Sequence, residues 1–286
     1  MIRWREPDII NWIRNFADAA PVDRALVKGI GDDCAILRAA AREDLVFTTD
    51  FLLEDRHFTR HTHSATDIGH KALARSLSDV AAMGAEPVLC LISLGIPADL
   101  AGAWVKRFYA GVLSIAPKYR TTLAGGDLAR FEKIIVDVMC CGRVPRGKAL
   151  LRSAAKPGDS IYVTGTLGKD WRRNRRPEPR IEAGIAIRRL GVRAAMDLSD
   201  GLSLDLRRMC LESQVSAEIS ADLSEQALHG GEDYELLFTA SRKIPGRIAA
   251  LPITKIGVMT AGHPGRVLFQ GRPLEPRGFD HFAASD

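Results

Sequence analysis

Apolar residues recur with two periods along this chain, and the periods alternate. Near the start, Ile9, Trp12, Ile13 and Phe16 fall at helical spacing behind Pro7, which predicts an amphipathic first helix. A glycine turn from Gly29 to Asp33 leads into a predicted strand over 34–37, and a second over 45–49 stops at Asp50. Thr66 or Asp67 is placed to cap a helix that runs to Met83, where Gly84 ends it. Ile68, Ala72 and Met83 share one stripe of that helix, and so does Asp79. A carboxylate on an apolar stripe needs a partner or a metal. A strand over 88–94, a helix over 103–114, a strand over 121–127 ending in a glycine turn at Asp127, and a strand over 134–141 containing Asp137 follow.

The second half repeats the alternation. Lys156 to Asp159 is a turn and 161–164 a strand, so the stretch 145–158 is the expected boundary between two units, 1–147 and 148–286. The run 192–198 reads as a buried strand that hands over through Ser199, Asp200 and Gly201 to a helix carrying Leu202, Leu206, Met209 and Cys210 on one face. Strand alternation points Asp197 and Ser199 the same way, and Ser199 or Asp200 is placed to cap the helix. Mixed strands and helices on both sides of the boundary predict two α/β or α+β domains.

Composition narrows the class. The chain has 286 residues, 46% hydrophobic and 26% charged, with a formal net charge of +5, which is enough for two packed domains. Its densest basic run, 172–176, reads as a solvated loop rather than a nucleic-acid arm. Five cysteines without a C-x-x-C spacing suggest reduced, buried thiols. The charged N-terminus does not resemble a signal peptide, and the apolar run 88–96 is too short to span a bilayer. A cytoplasmic protein that binds neither membrane nor nucleic acid is expected.

The acids change the picture more than the charge total does. Asp32, Asp33, Asp50, Asp79 and Asp127 stand at strand ends, a glycine turn or an apolar helix face, and Asp197 and Asp200 add another such place. One such acid is a cap; several suggest a shared site. Oxygen ligands without His or Cys at metal spacing favour Mg2+, which usually retains waters and works on phosphates. Thr48 and Thr49 add oxygens beside Asp50. The P-loop and the dinucleotide fingerprint are both absent, so a nucleotide is expected to be held through metals, with Arg152 a candidate phosphate contact or a plain surface arginine.

Together these motifs resemble the thiamine-monophosphate kinases, within the superfamily that includes aminoimidazole ribonucleotide synthetase. The resemblance is carried by Gly29–Ala35, Thr48-Thr49-Asp50 with His57 seven residues on, Lys71–Ala74 running into Leu77–Ala85, Gly125-Gly126-Asp127, Arg152, Asp197–Gly201, Gly230–Leu236 and the tail from Phe279. It implies a two-domain synthetase-like fold, a homodimer paired through its first domains, and phosphorylation of thiamine monophosphate by ATP with several Mg2+ ions. Carried over by position, it implies metal at Asp33, Thr48, Thr49, Asp50, Asp79, Asp127, Asp197 and Asp200. It implies ATP contacts at Tyr109, Gly126, Asp127, Arg152 and Ser199, and substrate contacts at His57, Glu232 and Phe279. The chain is shorter than the family pattern after Gly168 and after Ala221. A superfamily relative with another acceptor, or a non-catalytic nucleotide-binding dimer, is the alternative.

Overall fold

The computed structural model describes residues 26–28, 31–39, 42–168 and 174–279. The expected first helix and the tail beyond Phe279 lie outside these residues. The first sheet comprises β1 (Leu26–Lys28), β2 (Ala35–Arg38), β3 (Glu43–Leu53), β4 (Glu86–Ile96), β5 (Thr122–Arg130) and β6 (Ile135–Pro145), in the order β1-β2-β3-β6-β4-β5. The β4–β5 pair is parallel and the others are antiparallel. Two helices, α1 (Ala65–Ala82) and α2 (Ala103–Ile115), belong to this half.

The second sheet contains β7 (Ser160–Thr164), β8 (Ala194–Asp197), β9 (Ser216–Ile219), β10 (Leu236–Ala240), β11 (Arg247–Ile248), β12 (Leu251–Thr260), β13 (Val267–Phe269) and β14 (Arg272–Pro273). Its order is β14-β13-β9-β12-β7-β10-β8, with β11 paired to β12. Helices α3 (Ile181–Arg189), α4 (Leu202–Ser213) and the short α5 (Glu225–His229) complete the described chain. Two mixed sheets with helices are therefore present, as the alternating periods predict.

Helix α1 is central. It packs on β3 and β6 of the first sheet, on α2 and α3, and on β8 of the second sheet. Fifteen of its eighteen residues are buried, so it is a helix covered on all sides rather than one with a single core stripe. Small residues make this possible: a Cβ on Gly69 would stand 2.0 Å from the Phe108 carbonyl oxygen, and one on Gly111 would stand 2.0 Å from that of Thr66. The helix starts at Ser64, whose hydroxyl accepts from Asp67 N while the Asp67 carboxylate accepts from Ser64 N. The cap is thus Ser64, with Asp67 as its reciprocal partner.

Three local expectations are corrected. Asp50 lies inside β3, because β6 pairs with that strand through Leu53. Asp127 lies inside β5, because pairing with β4 continues to Arg130. A Cβ on Gly126 would meet the Ile92 carbonyl at 1.9 Å, so its glycine serves close strand approach rather than a turn. Neither Ser199 nor Asp200 caps α4. The cap position is Gly201, and the Asp205 carboxylate accepts from the backbone N–H of Asp200 and Gly201 instead.

Candidate active site

Three carboxylates from three elements meet where the two sheets approach α1. Asp33 precedes β2, Asp79 sits in the last turn of α1, and Asp197 ends β8. One oxygen from each lies within 4.8 Å of the others. Each has a different escort. Arg152 grips Asp33 with two bonds, Nε to Oδ2 at 2.9 Å and Nη2 to Oδ1 at 2.7 Å. The Ser78 hydroxyl donates to Asp197 at 2.7 Å, and the Thr48 hydroxyl donates to Asp79. Asp32 accepts from the backbone N–H of Arg152 at 3.2 Å.

Burial, then neighbouring acids, push Asp79 and Asp197 well above the usual carboxylate range. Asp32 is raised to about 7 by burial and then by Asp33. So dense a set of acids ionises together only when a cation joins it. The donors are hard oxygens, which fits Mg2+. Cys34 stands close by, but burial and then Asp79 push its thiol up, so it remains protonated and a poor ligand.

Asp50 projects from the same side of β3 as Thr48, two residues apart. Burial raises its carboxyl, opposed by Arg75, whose Nη2 lies 3.3 Å from Oδ1. Arg75 also lines an adjoining cavity of about 320 Å³, together with His57, Ser199, Asp200, Glu232, Tyr234 and Phe279. His57 is 5% exposed, and its Nδ1 accepts from Leu53 N at 2.9 Å. The His57 and Phe279 rings stand 5.8 Å apart, and Phe279 N donates to the Asp200 carbonyl at 3.1 Å. Asp200 itself is paired with Arg208.

Glu232 reaches this cavity despite the short segment before it. Helix α5, capped by Ser224, fills that segment. The chain then folds back so that Glu232 N donates to the Ser199 carbonyl at 2.7 Å, with φ at +64°. Strand alternation does not govern Ser199: β8 ends at Asp197, so Asp197 joins the acids while Ser199 lines the cavity. Part of the basic run is also tied down. Asn174 donates to the Glu232 carbonyl at 2.8 Å and Arg176 Nε to Asp67 at 2.6 Å, so 174–176 docks against the site instead of lying free in solvent.

The remaining residues lie elsewhere. Thr49 points to the outer face of the first sheet and donates to Asp137 there. Asp127 stands on that face, in register with Ser93, which pairs on its other side with Asp137. A shallow cleft of about 350 Å³ joins Asp127, Asp137, Ser93 and Phe51. Tyr109 lies half-buried on α2, edge-on to Phe108 at 5.2 Å, and does not line the cavity.

Lys71, Arg75, Ser78, Asp205 and Arg208 surround the site although their sequence positions carried no assigned chemistry. The available signal was the interruption of a small, apolar run by Lys71 and Arg75, one helical turn apart.

The chain is similar to known proteins over most of its length. Residues 31–144 match the AIR synthase related protein, N-terminal domain. The chain is 35% identical to the thiamine-monophosphate kinase of Bacillus subtilis over 302 aligned positions, covering 89% of this chain and 93% of that one. It is 38% identical to that of Escherichia coli K12, covering 89% and 92%. The structure of AaThiL complexed with AMPPCP and TMP superposes with a TM-score of 0.85 at 32% identity, covering 99% of each chain. Thiamine-monophosphate kinase from Stenotrophomonas maltophilia superposes at 0.73 with 34% identity, covering 93% and 96%. With relatives this similar spanning nearly the whole chain, the chain belongs to the thiamine-monophosphate kinase family.

Proposed function

We propose that this protein phosphorylates thiamine monophosphate to thiamine diphosphate with ATP, by direct in-line transfer. The observation that carries the reading is the meeting of Asp33, Asp79 and Asp197 beside the cavity formed by His57, Glu232 and Phe279. Asp33, Thr48, Asp50, Asp79 and Asp197 would hold Mg2+, with Asp200 at a further position. Bound Mg2+ supplies the positive charge that lets two phosphate groups approach. The acceptor phosphate is already anionic at neutral pH, so no side chain has to act as a strong base.

The chain's own residues bind and orient. The Glu232 carboxylate would neutralise the thiazolium cation of the acceptor, and the His57 and Phe279 rings line the same cavity. Tyr109, Gly126, Asp127, Arg152 and Ser199 would serve ATP. Arg152 is drawn to Asp33 here, so a role on phosphate requires the metal to take over that carboxylate.

Pairing of two copies through the first unit, 1–147, accounts for the outer face of its sheet. Phe51, Leu91 and Phe131 are exposed there around Thr49, Asp127 and Asp137, a display an isolated sheet rarely makes. A homodimer would place these acids at the interface. No described helix is long and apolar enough to cross a membrane. The five cysteines are free and buried, which supports a cytoplasmic setting.

The test is product formation from thiamine monophosphate, ATP and Mg2+, with and without chelator. Thiamine diphosphate and ADP that vanish with chelator are expected. Retained Mg-ATP binding without product would overturn the reading. Sedimentation reads the dimer, which Phe51→Asp is expected to split.

A further inference from the structure

Helix α1 offers the cavity a cation, Arg75, whose bonding is incomplete. The Arg75 guanidinium has five N–H donors. One of its nitrogens makes a single long contact to Asp50, at 3.3 Å. Nε and Nη1 are buried and find no acceptor among the described residues. The side chain is 13% exposed, and it borders the cavity. A buried guanidinium with unmet donors is costly unless an anion completes it.

The acids nearby do not complete it. Glu232 is taken by Lys71 at 2.7 Å, and Asp200 is taken by Arg208. Asp50 alone remains to Arg75. We infer that Arg75 receives the phosphate of the acceptor substrate, and that it makes the cavity selective for a phosphorylated over an unphosphorylated ligand. This rests on the proposed function and adds a specificity residue to it. The cavity then has a polarity that matches the acceptor. Glu232 serves its cationic ring, and Arg75, on α1, serves its anionic end; both line the same cavity.

 

The test measures binding of thiamine monophosphate and of thiamine to the full chain with Mg2+, and takes the ratio of the two dissociation constants. Wild type is expected to prefer the phosphorylated ligand. Arg75→Met is expected to reduce that preference on the order of 10- to 100-fold, the loss of one or two charge-assisted hydrogen bonds, while thiamine binding holds. Arg75→Gln removes the charge but keeps a donor, and carries the same test if the Met variant does not fold. An unchanged ratio in the folded variant, or equal weakening of both ligands, would overturn the assignment to Arg75. A wild type without any preference would instead overturn the reading of the cavity as a phosphate-acceptor site.

Discussion

Lys71 is wholly buried, and its ammonium donates to Glu232 Oε2 at 2.7 Å and to the His57 carbonyl at 3.1 Å. One lysine on α1 therefore ties together two residues of the cavity that lie far apart in sequence. Burial lowers its pKa, opposed by the Glu232 charge.

The pair is asymmetric, and so are the effects of breaking it. Glu232→Ala strands a buried ammonium and is expected to cost about 3 kcal/mol. Lys71→Met keeps the volume and leaves Glu232 beside the cavity, where water reaches it, so a loss within about 1.5 kcal/mol is expected. Urea unfolding of both variants checks this. Equal losses would show that the lysine is not held mainly by Glu232.

Removing one acid separates metal binding from folding. Asp79→Asn relieves repulsion with Asp50 and Asp197, the two largest charge contributions to its raised pKa. Its amide oxygen still accepts from Thr48. The metal-free variant is expected to melt no lower than wild type, while the rise in Tm with Mg2+ disappears and turnover falls at least about 100-fold. A normal Mg2+ response would remove Asp79 from the metal site.

Stability of the metal-free protein has a defined pH dependence. Burial raises Asp32 and Asp205 from 3.8 to about 7. Between those values the folded state holds protons that the unfolded state has released, so these groups make stability fall as pH rises through that window. Asp67 and Glu178 are lowered by their hydrogen bonds and ion pairs, so their contribution is lost only in acid. The chelated protein is expected to lose urea resistance from about pH 5 to 7, and Mg2+ to flatten that slope. A rising midpoint over this range with chelator would contradict the raised values.

The α1–α2 crossing tests the scaffold apart from the chemistry. Gly111→Ala puts a methyl against the Thr66 carbonyl, which is backbone and cannot rotate away. A cost of about 1–3 kcal/mol is expected from forcing the helices apart. Thermal melting beside Gly246→Ala, where a Cβ meets nothing within 4 Å, supplies the control.

Much of the fold was legible because it follows from local periodicity. The helix over 103–114 and the strand over 161–164 match α2 and β7 within a residue. Strand ends were less legible. Asp50 and Asp127 looked like terminators, yet pairing with β6 and β4 carries their strands past them. A ladder partner is a tertiary fact, and it outweighs the local preference of one polar residue.

The sequence alone determined which groups are candidates for the chemistry: acids at element junctions with no His or Cys at metal spacing, and a set of motifs spread from Gly29 to Phe279. Only the tertiary structure decided how they sort. It gathered Asp33, Asp79 and Asp197, sent Thr49 and Asp127 to the opposite face of the sheet, and held Asp33 with Arg152. It also turned Lys71 and Arg75 toward the cavity. The physical reason is that residue type fixes what a side chain can bind, whereas its partners depend on which strands pair and which helix lies between them.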